Sequence, residues 1–430
     1  MRTTVISAVI LIGALSSTAG AGTFPDSHDQ VPANWQGPVF RLSQQFPATD
    51  PSKATPAPIY PWQPIDFHTQ PEAYIAAVYN YVLEGNREVD WVVQNNAVRP
   101  WYHAPWMHYG DKGREYVRGM TRERTTPAPA QPGKGELGPQ QTTCFQNWAV
   151  GFVNAPAGYV FGQVWNDAYA PDPFKALFPE GTVAAKLLFT SATADQAPYM
   201  TGALEWDANI DVLVAGDNRC RSTGNRQVQK LRLLQMDLAI RDRRADPVGW
   251  VFATYAYDGS RPGATPFDRM APVGVMWGND PTLDQAAFTA GQRVKETWIN
   301  TALQTPQHLG YLGRLNGPVD NPISACLSCH MTAEVPARSS LTPGKDTMRW
   351  FANQPAGNSF DQRATSTGTD FNLQISNGIQ NFQLWKQSQG GFDAPAPQAG
   401  APPMLTARPE TAGEPETLIL NGERVYRVDR

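Results

Sequence analysis

The sequence predicts a β-rich α+β fold in which helices pack against a central antiparallel sheet. Four segments between residues 159 and 259 are rich in β-branched and aromatic residues, as is typical of strands. Segments near residues 70–85 and 281–305 have helical patterns instead. Stretches rich in proline lie near both ends of the chain and predict extended arms around the sheet.

Each predicted strand rests on a short run of residues. The runs are YVFGQVW (159–165), GTVAAKLLFTSA (181–192), VQKLRLLQMDLAIRD (228–242) and GWVFATYAYDG (249–259). In the third run, apolar residues partly alternate with Arg232, Gln235 and Asp237, which predicts one buried face and one wet face. Later, FNLQISNGIQNFQLWKQ (371–387) predicts a helix, and Asn-Gly between two β-prone runs predicts a hairpin at the C-terminus.

The N-terminus has the features of a secretory signal peptide, residues 1–21. Arg2 gives a positive start, the apolar run from Val5 to Leu15 is too short to span a bilayer, and Ala19-Gly20-Ala21 is a small-residue cleavage site. No later segment is long and apolar enough for a transmembrane helix, so we expect an exported protein that does not span the membrane. The net charge of −4 and the lack of a basic run argue against a nucleic-acid partner.

A cysteine–histidine motif appears late in the chain, within NPISACLSCHMTAE (321–334). Cys326 and Cys329 flank two residues and His330 follows at once, which is the attachment spacing of c-type haem. The two thiols form thioethers with the haem vinyl groups, and the adjacent imidazole supplies the proximal iron ligand. The alternatives are a Cys326–Cys329 disulfide or half of a zinc site, although zinc would require a second Cys or His pair. The motif predicts one covalent haem c.

The predicted organisation of the chain follows from these features. After the signal peptide we expect an extended arm (22–65), a β-rich domain (66–320), a haem-attachment region (321–388), and a Pro-rich linker with a terminal hairpin (389–430). Export together with covalent haem favours a bacterial periplasm, where a dedicated system attaches haem.

The remaining cysteines, Cys144 and Cys220, form a candidate disulfide because an oxidising compartment pairs exported thiols. The alternative is two separate buried thiols. The second axial ligand of the iron stays open, because a lone methionine usually fills a core and a histidine among aromatic residues usually satisfies a local hydrogen bond. The candidates are His103, Met107, His108, Met348 and Met404, whereas Met331 directly follows His330 and is badly placed to reach the opposite face of the haem.

The strand region resembles a family of β-sheet cytochromes. FVNAPAGYVF, FPEGTVAAKLLF, DPVGWVFATYAYDG and the motif at 326–330 occur in the order seen in that family, over residues 145–330. The family comprises hydroxylamine-oxidising cytochromes with a lysine–haem cross-link and the nitric-oxide-binding β-type cytochromes c-prime. The resemblance implies that the sheet precedes the haem motif and that Lys186 matches the cross-linking lysine. Considered by itself, Lys186 is better interpreted as a rim lysine whose amine reaches water.

Three functions are compatible with the sequence. The first is an exported monohaem c-type cytochrome that exchanges electrons with a redox partner protein. The second, which the resemblance implies, is a haem enzyme or gas-binding protein that acts on a small nitrogen oxide or hydroxylamine at the iron, with Lys186 as the candidate catalytic residue. The third is a binding module in which haem has only a structural role, since most of the chain lies outside the motif.

Overall fold

A computed structural model describes residues 31–107, 113–303, 309–344, 347–361 and 365–388, together with the backbone of two terminal strands, 417–420 and 423–426. The predicted signal peptide, most of the predicted Pro-rich linker, His108 and Met404 lie outside the described residues.

Nine strands of the described chain form one antiparallel sheet. They are β1 (Trp101–Tyr102), β2 (Thr121–Arg122), β3 (Asn147–Asn154), β4 (Val183–Thr190), β5 (Glu205–Leu213), β6 (Ser222–Arg241), β7 (Trp250–Tyr257), β8 (Met270–Met276) and β9 (Thr297–Ile299). Two further antiparallel pairs are β10 (Glu334–Val335) with β11 (Thr367–Gly368) and β12 (Thr417–Leu420) with β13 (Glu423–Tyr426). The helices are α1 (Pro71–Leu83), α2 (Ala155–Val164), α3 (Gln285–Thr289), α4 (Cys326–His330) and α5 (Leu373–Ser388).

The strand order places β4 and β6 in the middle of the sheet. The path runs β1-β3-β4-β6-β7-β8-β9, with β2 also paired to β3 and β5 also paired to β6. β6 is 20 residues long, and its first half pairs with β5 while its second half lies between β4 and β7. Side chains near the end of β6 are therefore enclosed by strands on both sides.

The two faces of the sheet pack against different helices. Leu187, Leu238 and Ala253 point to one face, where they join the buried side chains of α1 in one apolar cluster. Their neighbours along the strands point to the opposite face, where Phe252 and other apolar residues pack with residues of α2, α4 and α5. Each large apolar side chain that is fully buried contributes about 1.5–3 kcal/mol relative to its exposed state. The alternation explains why β7 is buried along its whole length.

Most of the predicted elements are present. The runs at 181–192, 228–242 and 249–259 contain β4, β6 and β7, and the helices predicted near 70–85 and 371–387 are α1 and α5. The terminal hairpin is present as the antiparallel pair β12–β13. The β-rich α+β class with a central antiparallel sheet is confirmed.

Two predicted elements are wrong. Residues 159–165 are not a strand, because Pro156 starts α2 in its first turn and the apolar residues that follow recur at helical spacing. The predicted helix at 281–305 is only the five-residue α3, which ends before Gly291, a residue with a left-handed φ of 93°. Residues 297–299 then form β9 at the edge of the sheet.

Residues 31–65 contain one short 3₁₀ helix, Pro51–Lys53, and no strand. This segment runs along the body of the protein: Phe40 N donates to Tyr116 O at 2.7 Å, and His103 N donates to Ser43 O at 2.8 Å. Within the described residues, no helix has both the length and the apolar character needed to cross a bilayer.

Candidate haem-attachment site

The cysteine–histidine motif forms the short helix α4 on the face of the sheet that α2 and α5 also cover. Leu327 is fully buried in that apolar cluster and anchors the helix. Ser328 accepts a hydrogen bond from Ala325 N at 2.8 Å and closes the first turn. Cys326, Cys329 and His330 are all partly accessible, so the anchored side of the helix leaves the three reactive side chains on its other side.

A buried arginine holds the loop that leads into α4. Arg314 is fully buried and donates hydrogen bonds of 2.8–3.0 Å to the carbonyls of Asn279, Asp280, Leu283 and Tyr311. Burial lowers the pKa of Arg314 to about 10, so the guanidinium remains charged at neutral pH. The loop continues to Leu315, whose carbonyl accepts from Cys326 N at 3.1 Å. The start of the motif is thereby tied to the residues between β8 and α3.

The imidazole of His330 is neutral and fixed in orientation. Nδ1 donates to the carbonyl oxygen of Phe371 at 2.9 Å, since a carbonyl only accepts. Burial lowers the pKa of His330 to about 4, so the ring carries no positive charge at neutral pH. Its centroid lies 4.9 Å from that of Phe252 on β7. With Nδ1 protonated and held, Nε2 keeps a free electron pair, which is the state required of a metal-ligating histidine.

Cys326 and Cys329 are not joined to each other by a disulfide. The sulfur of Cys326 lies 4.0 Å from Thr254 Oγ1 on β7. Burial and the charge of Asp320 raise the pKa of Cys329 to about 12, and the same two causes raise the pKa of Cys326. Both side chains are therefore neutral thiols that face the sheet.

The sheet beneath α4 contains a recess. In the middle strands β4 and β6, the partly accessible positions next to the motif are two cross-strand pairs, Ala184 with Ala239 and Lys186 with Asp237. Their neighbours along both strands are buried. We call the space above these four partly accessible side chains the recess.

Lys186 lies in a row of polar positions that crosses the floor of this recess. The register aligns Gly151, Lys186, Asp237, Thr254 and Gly274 on β3, β4, β6, β7 and β8. The two glycines add no side chains at the ends of this row. The row therefore places one amine, one carboxyl group and one hydroxyl group side by side near the two thiols.

Three carboxyl groups surround Lys186. Its Nζ lies 3.5 Å from Glu123 Oε1, and Asp237 and Asp320 also raise the pKa of the lysine against the effect of burial. Burial raises the pKa of Glu123 above its usual value, and Lys186 opposes that shift. Burial and the neighbouring Asp320 raise the pKa of Asp237 to about 7. Asp237 is therefore partly protonated near neutral pH.

Gln235 joins two of these carboxyl groups. Its Nε2 donates to Asp237 Oδ1 at 2.8 Å and to Asp320 Oδ2 at 2.9 Å. Thr254 Oγ1 donates to the same oxygen of Asp237 at 2.9 Å. These hydrogen bonds link the loop before α4 to the floor of the recess.

The chain matches no known protein family, no curated protein and no solved structure.

The residues of the site could hold a covalently attached haem. The described residues contain no group of three His, Cys, Asp or Glu side chains arranged to bind a metal ion. A haem requires less from the protein, because the porphyrin supplies four nitrogens to the iron and the chain supplies axial ligands. Two reduced thiols, an oriented neutral imidazole and a recess beside them are the features such a group needs.

The candidates for a second axial ligand lie in different surroundings. His103 is buried, with its Nδ1 accepting from Ser43 N at 3.0 Å and its ring 5.0 Å from that of Phe40. Met331 is buried at the end of α4, with its sulfur 3.9 Å from Asn279 Nδ2. Met107 is buried and Met348 partly buried in the apolar cluster on the motif side of the sheet. The pattern that suggested these residues does not distinguish one of them as an iron ligand.

The sequence pointed to the motif and to Lys186 but missed the other polar residues of the recess. Asp237 was assigned to a wet strand face, yet it faces the recess, and Gln235 is fully buried. The signal was present as a carboxylate within an apolar run. The position of this carboxylate depends on which strand pairs with β6 and in which register. The sequence of β6 alone specifies neither the partner strand nor the register.

Proposed function

We propose that this protein is an exported c-type cytochrome with one haem, attached by thioethers to Cys326 and Cys329 and ligated through Nε2 of His330. The observation that carries the proposal is the placement of the motif. α4 presents two thiols and a neutral, oriented imidazole beside a recess in the sheet. Bound there, the haem would supply a one-electron ferric–ferrous couple for exchange with a redox partner protein.

Several properties of the chain support this role. The low pKa of His330 keeps Nε2 available as a ligand over the physiological range. The Phe371 carbonyl increases the electron-donating strength of the ring through Nδ1. The Cys144–Cys220 disulfide is compatible with an exported protein, and we propose a periplasmic location.

The test is covalent attachment in the full chain, expressed in a bacterial host that matures c-type cytochromes. The mature wild-type protein should exceed its polypeptide mass by one haem, and acidified acetone should not extract the cofactor. The Cys326→Ala/Cys329→Ala variant should lose covalent haem because no thioether can form. Leu327→Met lies within the same motif without a reactive group and serves as the matched control, which should retain the haem. A wild-type chain without haem, or with haem that is fully extractable, would overturn the proposal.

A second candidate function is a haem enzyme or gas-binding protein that acts on a small nitrogen oxide or hydroxylamine. The observation that favours it is the position of Lys186 and Asp237 in the recess, on the same side of the sheet as the motif. An amine and a titrating carboxyl group beside the iron would suit a reacting ligand better than simple electron exchange.

Optical spectra separate the two functions. Reduced protein with six-coordinate low-spin iron that does not bind carbon monoxide supports electron transfer. Rapid carbon monoxide binding supports a haem enzyme or gas-binding protein. A bond between Lys186 and the porphyrin would distort the pyridine haemochrome spectrum, and Lys186→Ala would restore the ordinary spectrum. Lys230→Ala, which removes an exposed lysine on β6, is the matched control.

A further inference from the structure

The carbonyl that holds His330 belongs to an unusual stretch of backbone. Asp370 and Phe371 both have left-handed φ angles, 50° and 63°. This region is uncommon for residues other than glycine, and a bulky side chain such as phenylalanine is especially rare there. Two consecutive residues in this conformation cost free energy, so the surrounding structure must hold them.

Asp370 supplies the contacts that hold this turn. The side chain is almost completely buried, at 2% exposure. Its Oδ1 accepts from Trp250 Nε1 at 3.0 Å, and its Oδ2 accepts from Phe178 N at 2.8 Å. Trp250 begins β7, and Phe178 lies in the segment between α2 and β4. One carboxylate thus ties the turn to the sheet and to a second, independent segment.

The left-handed turn, which Asp370 anchors, contacts His330. Phe371 directly follows Asp370, and its carbonyl accepts the hydrogen bond from Nδ1 at 2.9 Å. On the other side, Asn372 Oδ1 accepts from Ile375 N at 2.9 Å and starts α5. The carbonyl is therefore held between an anchored aspartate and a helix N-terminus.

We propose that Asp370 is a positioning residue for the iron site, which fixes the Phe371 carbonyl on Nδ1 of His330 and so lowers the reduction potential of the iron. The inference rests on the proposed function, because it concerns a bound haem. A hydrogen bond from Nδ1 gives the imidazole more anionic character and makes Nε2 a stronger donor. A stronger donor favours ferric over ferrous iron.

The experiment compares variants of the haem-loaded full chain by redox titration and by exchange of the Nδ1 proton with solvent, observed by NMR. Asp370→Ala removes both hydrogen bonds and should shift the ferric–ferrous equilibrium about tenfold toward ferrous iron, which is about 59 mV for one electron. The Nδ1 proton should exchange faster. Trp250→Phe removes one hydrogen bond while keeping a ring in place, so it should act in the same direction with a smaller shift. Asp370→Asn keeps one acceptor and tolerates left-handed backbone, so it should restore most of the wild-type potential.

Asp242→Asn is the matched control. Asp242 is also a buried carboxylate, but it accepts from Tyr74 Oη at 2.9 Å and from Arg244, next to α1 on the opposite face of the sheet. This variant should change stability without moving the potential or the proton exchange.

The outcomes distinguish the inference from the proposed function. Wild-type chain without haem would overturn both. A haem-loaded Trp250→Phe protein with unchanged potential and unchanged Nδ1 exchange would overturn the inference alone, even if Asp370→Ala failed to fold. An equal shift in the Asp242→Asn control would also overturn it, because the effect would then be general destabilisation.

Discussion

Lys186 and Asp237 face each other across the two middle strands of the sheet, beneath the helix that carries the cysteine–histidine motif. The ammonium group of Lys186 also lies 3.5 Å from Glu123 Oε1. The side chains of Lys186 and Glu123 are 31% and 28% exposed, so the pair is only partly shielded from water. A charge of each sign is thus held where water solvates it less fully than at the open surface.

Lys186→Met should lower the free energy of unfolding by about 1–3 kcal/mol, because Glu123 and its acidic neighbours lose their nearby cation. Lys186→Met/Glu123→Gln should recover part of that loss, since the second change removes the uncompensated carboxylate. Urea unfolding of wild type, Lys186→Met, Glu123→Gln and the double variant forms a double-mutant cycle, which measures the coupling free energy between Lys186 and Glu123.

The control is Lys230→Met. Lys230 pairs with Asp207 at 3.2 Å, but both side chains are more than half exposed, at 56% and 55%. The expected change is less than about 0.5 kcal/mol. Equal effects at the two lysines would show that the recess does not shield its charges.

Asp237 should make stability depend on pH in a defined window. Burial raises its pKa to about 7, above the value of an unfolded aspartate, so the folded state binds the proton more tightly. The stabilisation from this proton is fully present below the unfolded pKa and is lost as pH rises through about 7. Asp237→Asn should abolish that dependence, and its stability relative to wild type should improve from pH 4 to pH 8 by about 1–2 kcal/mol.

The measurement is denaturant unfolding of wild type and Asp237→Asn at matched pH values. Taking the difference cancels groups common to both proteins, including His330, whose lowered pKa acts in the opposite direction. A difference that is flat with pH would show that Asp237 has the same pKa in the folded and unfolded states.

The disulfide predicted between Cys144 and Cys220 is confirmed, and it joins residues 76 apart in sequence. It connects the segment before β3 to the turn between β5 and β6. Cys144→Ser/Cys220→Ser should lower the free energy of unfolding by about 2–4 kcal/mol, because the unfolded chain regains the freedom of a long loop. Thermal unfolding with and without reductant checks this prediction. Reductant should lower the unfolding temperature of wild type and leave that of the variant unchanged.

Gly310 should tolerate alanine less well than Gly151. A Cβ at Gly310 would collide with the backbone carbonyl of Ser324, just before the motif, whereas at Gly151 it would meet the flexible end of the Gln374 side chain. Gly310→Ala should therefore cost about 1–3 kcal/mol, and Gly151→Ala should cost less than about 1 kcal/mol. Thermal unfolding ranks the two variants, and the reverse order would contradict the packing described around α4.

The sequence predicted the fold class because the strands and helices depend on local signals, and the haem-attachment motif, also a local signal, stays a prediction. Alternating or continuous apolar runs identified β4, β6 and β7, and the spacing of Cys326, Cys329 and His330 is itself the signal for haem attachment. The failure at residues 159–165 was also local, since β-branched and aromatic residues there occur at helical spacing in α2. In this segment the helical period of the apolar residues decides the structure, and the β-propensity of the residues does not.

The recess was beyond the reach of sequence patterns because it is made by pairing. Asp237 lies beside Lys186 only because β4 pairs with the second half of β6 in this register. The hydrogen-bond partner of His330 is also far away in sequence, since Phe371 lies 41 residues farther along the chain. No local sequence pattern predicts that the backbone carbonyl of Phe371, in a left-handed turn, accepts a hydrogen bond from the imidazole of His330.

The position of α4 after β9 also sets a sequence of events during synthesis. A chain made from its N-terminus presents all nine strands of the sheet before the motif emerges. The turn at Asp370–Phe371 and the helix α5 emerge later still, and they complete the wall around His330. Under the proposed function, a maturation enzyme would therefore reach Cys326 and Cys329 before the last segment of the site covers them.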